Sequence, residues 1–574
     1  MDEFNASWFP WRPCRYSTWL TFMVLCLLWF SETSHSGNVE KYIVNKFDNP
    51  NILSKFNHFT VNNRNGIVYV GAENALYSLA TNLDQSHDED IPCNDCEVCA
   101  ECINYNKVLL IDYANENLIT CGSENDGTCQ TRSLEDITIL KVDNNLVASV
   151  RNTSTEAIIV SDSLYVAATY NSERHLMADK RIPPISARTL GDDDPFTIES
   201  NRKVLFSQDT VSTNPFIINY IKSFFWNEFV YFISYQRMDF SGDPFDRNYV
   251  SKMSRVCVDG DSFESYTEIW IECQGKDGSV YNLIQAAHVG TAGPELADSF
   301  GITSDDRLLY AVFSKNTGRD GNVPSNSSAL CIFKIEDVES KFIDAIHGCL
   351  SDGNDYGLGY VHGSTCPGLG TGVNRDIAVG QQCNALNYQY ADTKTPLTST
   401  AVVEWQDVVP ASIITVTHRM HTIAFVGTAL GNLLKVHVEA KTSAREYERV
   451  PVGSPVLKDT MVDAQQQHVM VLTQQQLLRL KVEDCGQYSS CIDCIGSSGG
   501  LDGDPYCGWC SLQNRCTRYQ QCPQSEVSAR WLPYNNSQCV NITNIQPFDS
   551  LPVTTSNKEV NRRDLTMNNG FGER

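Results

Sequence analysis

The distribution of cysteines constrains this chain more than any other feature of its sequence. There are 22 of them, which predicts a disulfide-bonded protein from an oxidising compartment. Cys14 and Cys26 lie in an N-terminal segment expected to be removed, so an even number remains. Twelve of these are spread over residues 93–383 and eight are packed between Cys485 and Cys539. The sharp change in cysteine density predicts a domain boundary near Glu483-Asp484.

The N-terminal segment is typical of a secretory signal peptide covering residues 1–36. Trp19 to Phe30 is an uncharged apolar run, and this run is too short for an ordinary membrane-spanning helix. Arg12 and Arg15 precede the run, and small residues stand just before Gly37. An uncleaved signal anchor is the alternative. We therefore expect a soluble, secreted chain with no later membrane span.

Charge excludes two classes of partner. The net charge is −25, whereas binding to nucleic acid or to an anionic membrane surface needs basic residues in excess. Sequons suit an extracellular chain, and each is a candidate for N-glycosylation at a surface loop. The four candidate asparagines are Asn152, Asn326, Asn535 and Asn541.

The long region before the boundary is predicted to be all-β. Short apolar runs rich in β-branched residues recur between turn residues, and no long apolar stripe of helical period is apparent. Three similar pairs of runs begin at Ile67, Ile423 and Val469. Each pair reads as a fully apolar strand, a small residue and a second strand. Continuously apolar strands indicate burial on both faces, as in sheets stacked around an axis. A β-propeller is therefore favoured over a sandwich, and seven blades would need insertions to account for the length.

At this point particular motifs resemble those of one family. The segment Phe56–Val61 with Gly66–Ala72, and the segment Lys107–Ala114, are similar to the opening of the semaphorin-type propeller of plexins. The cysteine-dense unit, with Asp504-Pro-Tyr-Cys-Gly-Trp-Cys510, is similar to the PSI module (plexin, semaphorin, integrin) that follows that propeller. The resemblance implies a seven-bladed sema propeller over residues 37–484 and a PSI module over residues 485–540.

The resemblance also implies a disulfide scheme, which spacing alone could not provide. Cys96 and Cys99 are left over and are candidates for an extra bridge with each other, which puts the first pair below in doubt. The implied pairs are Cys93–Cys102, Cys121–Cys129, Cys257–Cys383, Cys273–Cys331 and Cys349–Cys366 in the propeller, and Cys485–Cys507, Cys491–Cys539, Cys494–Cys516 and Cys510–Cys522 in the small module.

The function implied by the resemblance is that of a plexin-like receptor ectodomain. It would bind a semaphorin in cell and axon guidance, without catalysis, and a full-length plexin or a co-receptor would be a further partner. A secreted semaphorin-like ligand and a soluble decoy isoform are the alternatives. The acidic run Asp192-Asp193-Asp194 is a candidate ligand-steering patch, and its plainer interpretation is a solvated loop.

Motifs that suggest enzymes or metals have ordinary structural explanations. Cys507-Gly-Trp-Cys510 looks like a redox pair but lies among six other cysteines, which favours structural bridges. The CxxC spacing from Cys93 to Cys102 would need a reducing compartment to bind metal. His418 and His421 lack the helix of a zinc protease motif, so packing is the expected role. We expect no catalytic residue, no metal and no cofactor.

The polar segment 541–574 is predicted to be disordered. Plexins continue beyond a PSI module into further modules, a membrane span and a cytoplasmic region. The sequence is therefore interpreted as one that stops before the membrane span, and a truncated product, an alternative secreted isoform and an incomplete gene model are the alternatives.

Overall fold

The architecture was analysed in a computed structural model. It describes residues 39–91, 103–124, 127–143, 146–148, 153–169, 182–191, 195–206, 218–237, 249–317, 322–353, 356–383, 388–496, 503–535 and 539. The predicted signal peptide, the tail and the cysteines from Cys93 to Cys102 lie outside these residues. In the described part of the chain, no helix has the length and apolar character needed to cross a membrane.

Seven antiparallel sheets, here called blades, account for residues 43–481. Strand β1 (Ile43–Asp48) belongs to the last of them. Blade 1 holds β2 (Phe56–Val61), β3 (Val68–Ala72), β4 (Ala75–Leu79) and β5 (Gln85–Asp90). Blade 2 holds β6 (Asn106–Asp112), β7 (Asn117–Gly122), β8 (Cys129–Ser133) and β9 (Ile139–Asp143). Blade 3 holds β10 (Thr155–Val160), β11 (Ser163–Ala168), β12 (Ile185–Thr189) and β13 (Ile198–Val204).

Blades 4 and 5 interleave along the chain, because a late strand returns to each of them. Blade 4 holds β14 (Asn219–Trp226), β15 (Phe229–Arg237), β16 (Tyr249–Cys257), β17 (Thr267–Gln274) and β18 (Val280–Tyr281), with β22 (Leu397–Thr400) parallel to β17; blade 5 holds β19 (Leu283–Thr291), β20 (Arg307–Thr317), β21 (Val323–Lys334) and β23 (Val403–Trp405). Blade 6 holds β24 (Pro410–His418), β25 (His421–Thr428), β26 (Asn432–Ala440) and β27 (Ser443–Pro451); blade 7 holds β28 (Val456–Val462), β29 (His468–Thr473), β30 (Gln476–Lys481) and β1.

The blades form a closed ring. The innermost strands contact one another in the order β2, β6, β10, β14, β19, β24 and β28, and β28 contacts β2 again. Blade 7 takes its outer strand from the N-terminus, since β1 pairs with β30. The predicted all-β propeller is confirmed, and the three repeated strand pairs are β3–β4, β25–β26 and β29–β30, the middle strands of their blades.

An insertion in blade 5 contains a helix of 17 residues. Helix α1 (Pro294–Phe300) lies between β19 and β20, and helices α2 (Ile335–Ser351) and α3 (Arg375–Gly380) lie between β21 and β22. The expectation that no long stripe of helical period exists is wrong for α2. Its residues Val338, Phe342 and Ile346 recur at helical spacing and are fully buried against the sheets.

The small module is a three-stranded sheet preceded by a short helix. The helix is α4 (Cys491–Ile495), and the strands are β31 (Gly508–Cys510), β32 (Arg515–Thr517) and β33 (Trp531–Pro533), with β31 in the centre. Short 3₁₀ segments lie at Val39–Lys41, Cys485–Gln487 and Tyr519–Gln521. Eight disulfides join described cysteines: Cys121–Cys129, Cys257–Cys383, Cys273–Cys331, Cys349–Cys366, Cys485–Cys507, Cys491–Cys539, Cys494–Cys516 and Cys510–Cys522.

The module packs closely against blades 6 and 7. Tyr506 is fully buried in an apolar cluster with propeller residues, and its ring centre lies 4.4 Å from that of His418. Arg419, in the β24–β25 turn, lies over the rings of Tyr519 and Trp531 at 4.3 and 5.0 Å. These stacked contacts hold the module in one position on the propeller.

One buried carboxyl of the module makes stability depend on pH. Burial raises the pKa of Asp504 from 3.8 to about 7, and its Oδ2 atom has no hydrogen-bond partner. Between these values the folded state binds more protons than the unfolded state, so the carboxyl destabilises the fold increasingly as the pH rises toward 7. Asp504→Asn should therefore become progressively more stabilising between pH 4 and pH 8, by up to about 4 kcal/mol.

Thermal melting of the mutant and the wild type at pH 4.5, 6 and 8 measures this difference. Glu526→Gln, on an exposed side chain of the same module, is the control and should show no trend with pH. A difference between Asp504→Asn and the wild type that stays constant with pH would contradict the assignment.

Candidate functional site

The candidate steering patch Asp192–Asp194 lies outside the described residues, but the ends of its loop are well defined. The loop connects β12 to β13 in blade 3. On one side Asn115 of blade 2 donates a hydrogen bond from Nδ2 to the Leu190 carbonyl oxygen at 3.3 Å. On the other side the buried Arg188 donates from Nη1 to the Phe196 carbonyl oxygen at 3.0 Å. Both ends of the loop are therefore anchored, the first of them to the neighbouring blade.

Several turns of blades 1 to 3 open on the same face as this loop. In a sheet of antiparallel neighbours, the turns after the first and third strands lie at the same end. Those turns in blades 1 and 2 line a groove of about 560 Å³, which we call the blade 1–2 groove. Its lining residues are Asn62, Arg64, Asn65, Ile67, Glu116, Asn117, Ser133, Leu134, Glu135 and Leu140.

Arg64 links the two walls of the blade 1–2 groove. Its Nη2 donates to the Tyr113 carbonyl oxygen at 3.1 Å, and its guanidinium lies 5.0 Å from the centre of the Tyr113 ring. It also pairs with Glu116 at 3.5 Å, where the side chains are 58% and 79% exposed. An ion pair this exposed contributes about 0–1 kcal/mol, so both charges remain available to a partner.

The outer strand of blade 2 adds an apolar edge beside the groove. Strand β9 is the edge strand of its sheet, and it exposes three apolar side chains: Ile139 by 44%, Leu140 by 54% and Val142 by 54%. An edge strand with exposed apolar side chains favours contact with another protein. Sequence reasoning missed this strand, and the signal was Ile139-Leu-Lys-Val142, a β-prone run with a single charge.

The channel along the propeller axis is a second candidate site. This cavity, of about 440 Å³, is lined by the innermost strands. Burial and the nearby Lys458 lower the pKa of Lys107 to about 7. The carboxylates are paired, since Glu156 contacts Lys458 at 2.7 Å and Asp459 contacts His58 at 2.9 Å. The contact between His58 and Asp459 joins the neighbouring inner strands β2 and β28, whereas the pair of Glu156 and Lys458 joins β10 and β28, which are not neighbours in the ring.

Two described clusters contain three residues of metal-ligating type. Glu483, Cys485 and Cys507 form one, but these two cysteines are bonded to each other and have no free thiolate. The second brings His421 to Glu295 and His437. His418 packs on Tyr506 as described above, and burial lowers the pKa of His418 to about 4.

Of the candidate glycosylation sites, Asn326 and Asn535 are both exposed in the structure, and Asn152 and Asn541 lie outside the described residues. Exposure is what the modification requires of an acceptor. Glycosylation therefore stays a prediction for all four.

Comparison with known families finds two matches. A model of the Sema domain matches residues 284–463, and a model of the plexin repeat matches residues 484–540. The first match covers blade 5, blade 6 and the start of blade 7. The second covers the small disulfide-rich module.

Curated relatives extend the similarity over most of the chain. Plexin-A4 of Danio rerio is 32% identical over 545 residues, which cover 85% of this chain and 27% of the relative. Plexin-A4 of Homo sapiens is 31% identical over 535 residues, with the same two shares. The chain thus spans about a quarter of the length of these relatives.

Solved structures have the same architecture. The full extracellular region of plexin A4 superposes with a TM-score of 0.75 at 29% identity, covering 86% of this chain and 44% of that one. Drosophila semaphorin 1b, extracellular domains 1–2, superposes with a TM-score of 0.59 at 15% identity, covering 86% and 96%. The semaphorin likeness shows the fold alone.

Proposed function

Because the chain belongs to the plexin family, with a sema propeller followed by a plexin repeat, we propose that it binds a semaphorin outside the cell. The observation that carries the proposal is the match to the plexin-A4 extracellular region across propeller and module together. A solved complex of Drosophila plexin A with semaphorin 1b supports a semaphorin as the ligand class. Identity of 32% to a plexin favours the receptor over the semaphorin-like ligand.

We place the ligand-facing surface on the rim of blades 1 to 3. The anchored ends of the Asp192–Asp194 loop, the blade 1–2 groove and the apolar edge of β9 adjoin there. Arg64 and Glu116 offer exposed charges of both signs, and Leu140 offers apolar area. This combination supports recognition of a folded protein surface rather than catalysis.

Binding is tested with purified chain 37–574 and immobilised semaphorins of the same organism. We expect saturable binding to at least one of them. A chain that binds none, while melting cooperatively as a folded protein, would exclude the receptor function. Self-association as a dimer, together with binding to a plexin, would instead support the semaphorin-like alternative.

The acidic loop is expected to act on the association rate. Replacing Asp192, Asp193 and Asp194 by Asn should slow association by about 2–10-fold at low salt, because long-range attraction steers the encounter. The difference should shrink at high salt, where such attraction is screened. Surface plasmon resonance at two salt concentrations measures both effects.

The control for this variant removes three acidic charges from another part of the ring. Asp305→Asn with Glu336→Gln and Asp337→Asn changes exposed side chains near blade 5. It changes the net charge equally and should leave association nearly unchanged. Equal slowing by both triple variants would mean that net charge, not the loop, steers the ligand.

We also propose the division of the chain into a signal peptide over 1–36, a propeller over 37–484, a module over 485–540 and a polar tail over 541–574. The end of β30 at Lys481 and the start of the 3₁₀ segment at Cys485 support the central boundary.

A further inference from the structure

Blade 6, helix α1 and the small module meet at a cluster of metal-ligating side chains. Glu295 comes from the first turn of α1, His421 begins β25, and His437 lies in the middle of β26. The Nδ1 atom of His421 lies 2.9 Å from Glu295 Oε2, and the Nε2 atom of His437 lies 3.6 Å from the same oxygen. The three ligand atoms all lie within 4.8 Å of one another.

His437 is left without hydrogen bonds although it is completely buried. Neither of its ring nitrogens has a hydrogen-bond partner. Carboxylate oxygens of Glu295 and Glu439 lie 3.6 and 3.5 Å from its ring nitrogens. A buried polar group normally has a partner, because an unpaired one costs about 1–3 kcal/mol. The cluster thus has a buried imidazole nitrogen that faces Glu295 without being bonded to it.

A metal ion would satisfy this arrangement. We propose that Glu295, His421 and His437 bind one zinc ion. Zinc takes imidazole nitrogens and carboxylate oxygens at about 2.0–2.2 Å, so neighbouring ligand atoms of a tetrahedral site lie roughly 3.3 Å apart. The separations of 2.9 and 3.6 Å from Glu295 Oε2 bracket that value.

Groups around the three ligands are suited to orienting them. Glu439 lies 3.5 Å from His437 Nδ1 and can accept the proton of that nitrogen, which leaves Nε2 for the metal. Arg445 pairs with Glu439 and donates a hydrogen bond to the hydroxyl of Tyr534. Tyr534 belongs to the small module, and its ring centre lies 5.5 Å from those of both histidines. The module therefore covers the site, and solvent reaches it beside Glu295, the most exposed of the three ligands.

The test is direct measurement of zinc in the secreted full chain. The protein is purified without a polyhistidine tag, stripped with a chelator, loaded with excess zinc and desalted. Mass spectrometry of the metal should find one zinc per chain, and competition with a chromophoric chelator gives the affinity. Loss of an outer-shell partner typically weakens metal affinity by about 10–100-fold. Glu295→Gln removes a direct ligand, so it should weaken the affinity for zinc by at least that factor. Glu439→Gln should weaken it by about 10–100-fold.

A matched control distinguishes this site from surface histidines. His468 contacts Asp463 at 2.7 Å and is partly exposed, but no described residue of metal-ligating type joins the pair as a third ligand. His468→Gln should keep one zinc per chain with wild-type affinity. A folded wild-type chain that retains no zinc after loading would overturn the proposal, whether or not the variants fold. Unchanged affinity in Glu295→Gln would also overturn it.

Discussion

Deleting residues 39–50 is expected to abolish cooperative folding of the whole ring, because these residues supply β1. Without β1, the edge of β30 loses its partner strand in blade 7. Phe47 is lost as well, and its ring stacks on Phe56 of blade 1 at 5.6 Å and meets Tyr77 edge-on at 5.4 Å. Since each blade is buried between two others, opening one junction exposes the apolar faces on both sides. Secretion and thermal melting measure the loss.

The control changes the connection directly after the deleted segment and leaves the strand in place. Ile52 and Leu53 are 78% and 89% exposed in the connection that follows β1, so Ile52→Ser with Leu53→Ser should melt like the wild type. If the deletion variant is secreted and melts in a single cooperative transition near the wild-type temperature, the ring does not depend on closure by β1.

The parts of the fold that sequence could predict are those with local periodicity. Middle strands such as β3 and β29 are continuously apolar because sheets cover both of their faces, so they stand out as runs. Helix α2 was missed although its spacing is also local. Its apolar positions are separated by Glu336, Asp337 and Glu339, and these charges hid the helical period in a chain otherwise rich in strands.

The candidate zinc site was missed for a different reason. Strand β26 was identified from Leu433-Leu434-Lys435-Val436 only as the second strand of a repeated pair, yet Lys435, His437 and Glu439 alternate with apolar residues along it. Alternation places these three polar side chains on one face, and Lys435 and His437 are nonetheless completely buried there. The polar alternation was the available signal, but the partners, Glu295 from α1 and Tyr534 from the module, come together only through the fold.

Long-range ion pairs could not be predicted at all. Lys252 of β16 contacts Glu268 of β17 at 2.9 Å and Asp392 of the blade 5 insertion at 2.6 Å. Nothing in the sequence around Asp392 indicates that it approaches a strand so far away along the chain. The contact exists because the insertion folds back over blade 4, where the Cys257–Cys383 disulfide also joins the two.

Replacing Lys252 by Met is expected to destabilise the chain by about 3–5 kcal/mol, because it leaves buried carboxylates without their cation. The side chains of Lys252 and Glu268 are 6% and 2% exposed, and the two carboxylates raise the pKa of Lys252 even though burial alone would lower it. Lys46→Met, which breaks an exposed pair with Asp48, should cost only about 0–1 kcal/mol. Denaturant unfolding of the two variants and the wild type measures the difference.

We expect Lys252→Met to lose stability because the cation is removed, not because packing is lost. A combined variant distinguishes these two causes. Lys252→Met with Glu268→Gln and Asp392→Asn leaves no uncompensated charge, so most of the lost stability should return. The single variant should also recover stability as the pH falls from 7 to 5. Burial already raises the pKa of Asp392 above its value in the unfolded chain, and loss of Lys252, which lowers it, raises it further, so this carboxyl becomes protonated. If the triple variant is as unstable as Lys252→Met at both pH values, the Lys252 side chain stabilises the contact between blade 4 and the blade 5 insertion through packing instead.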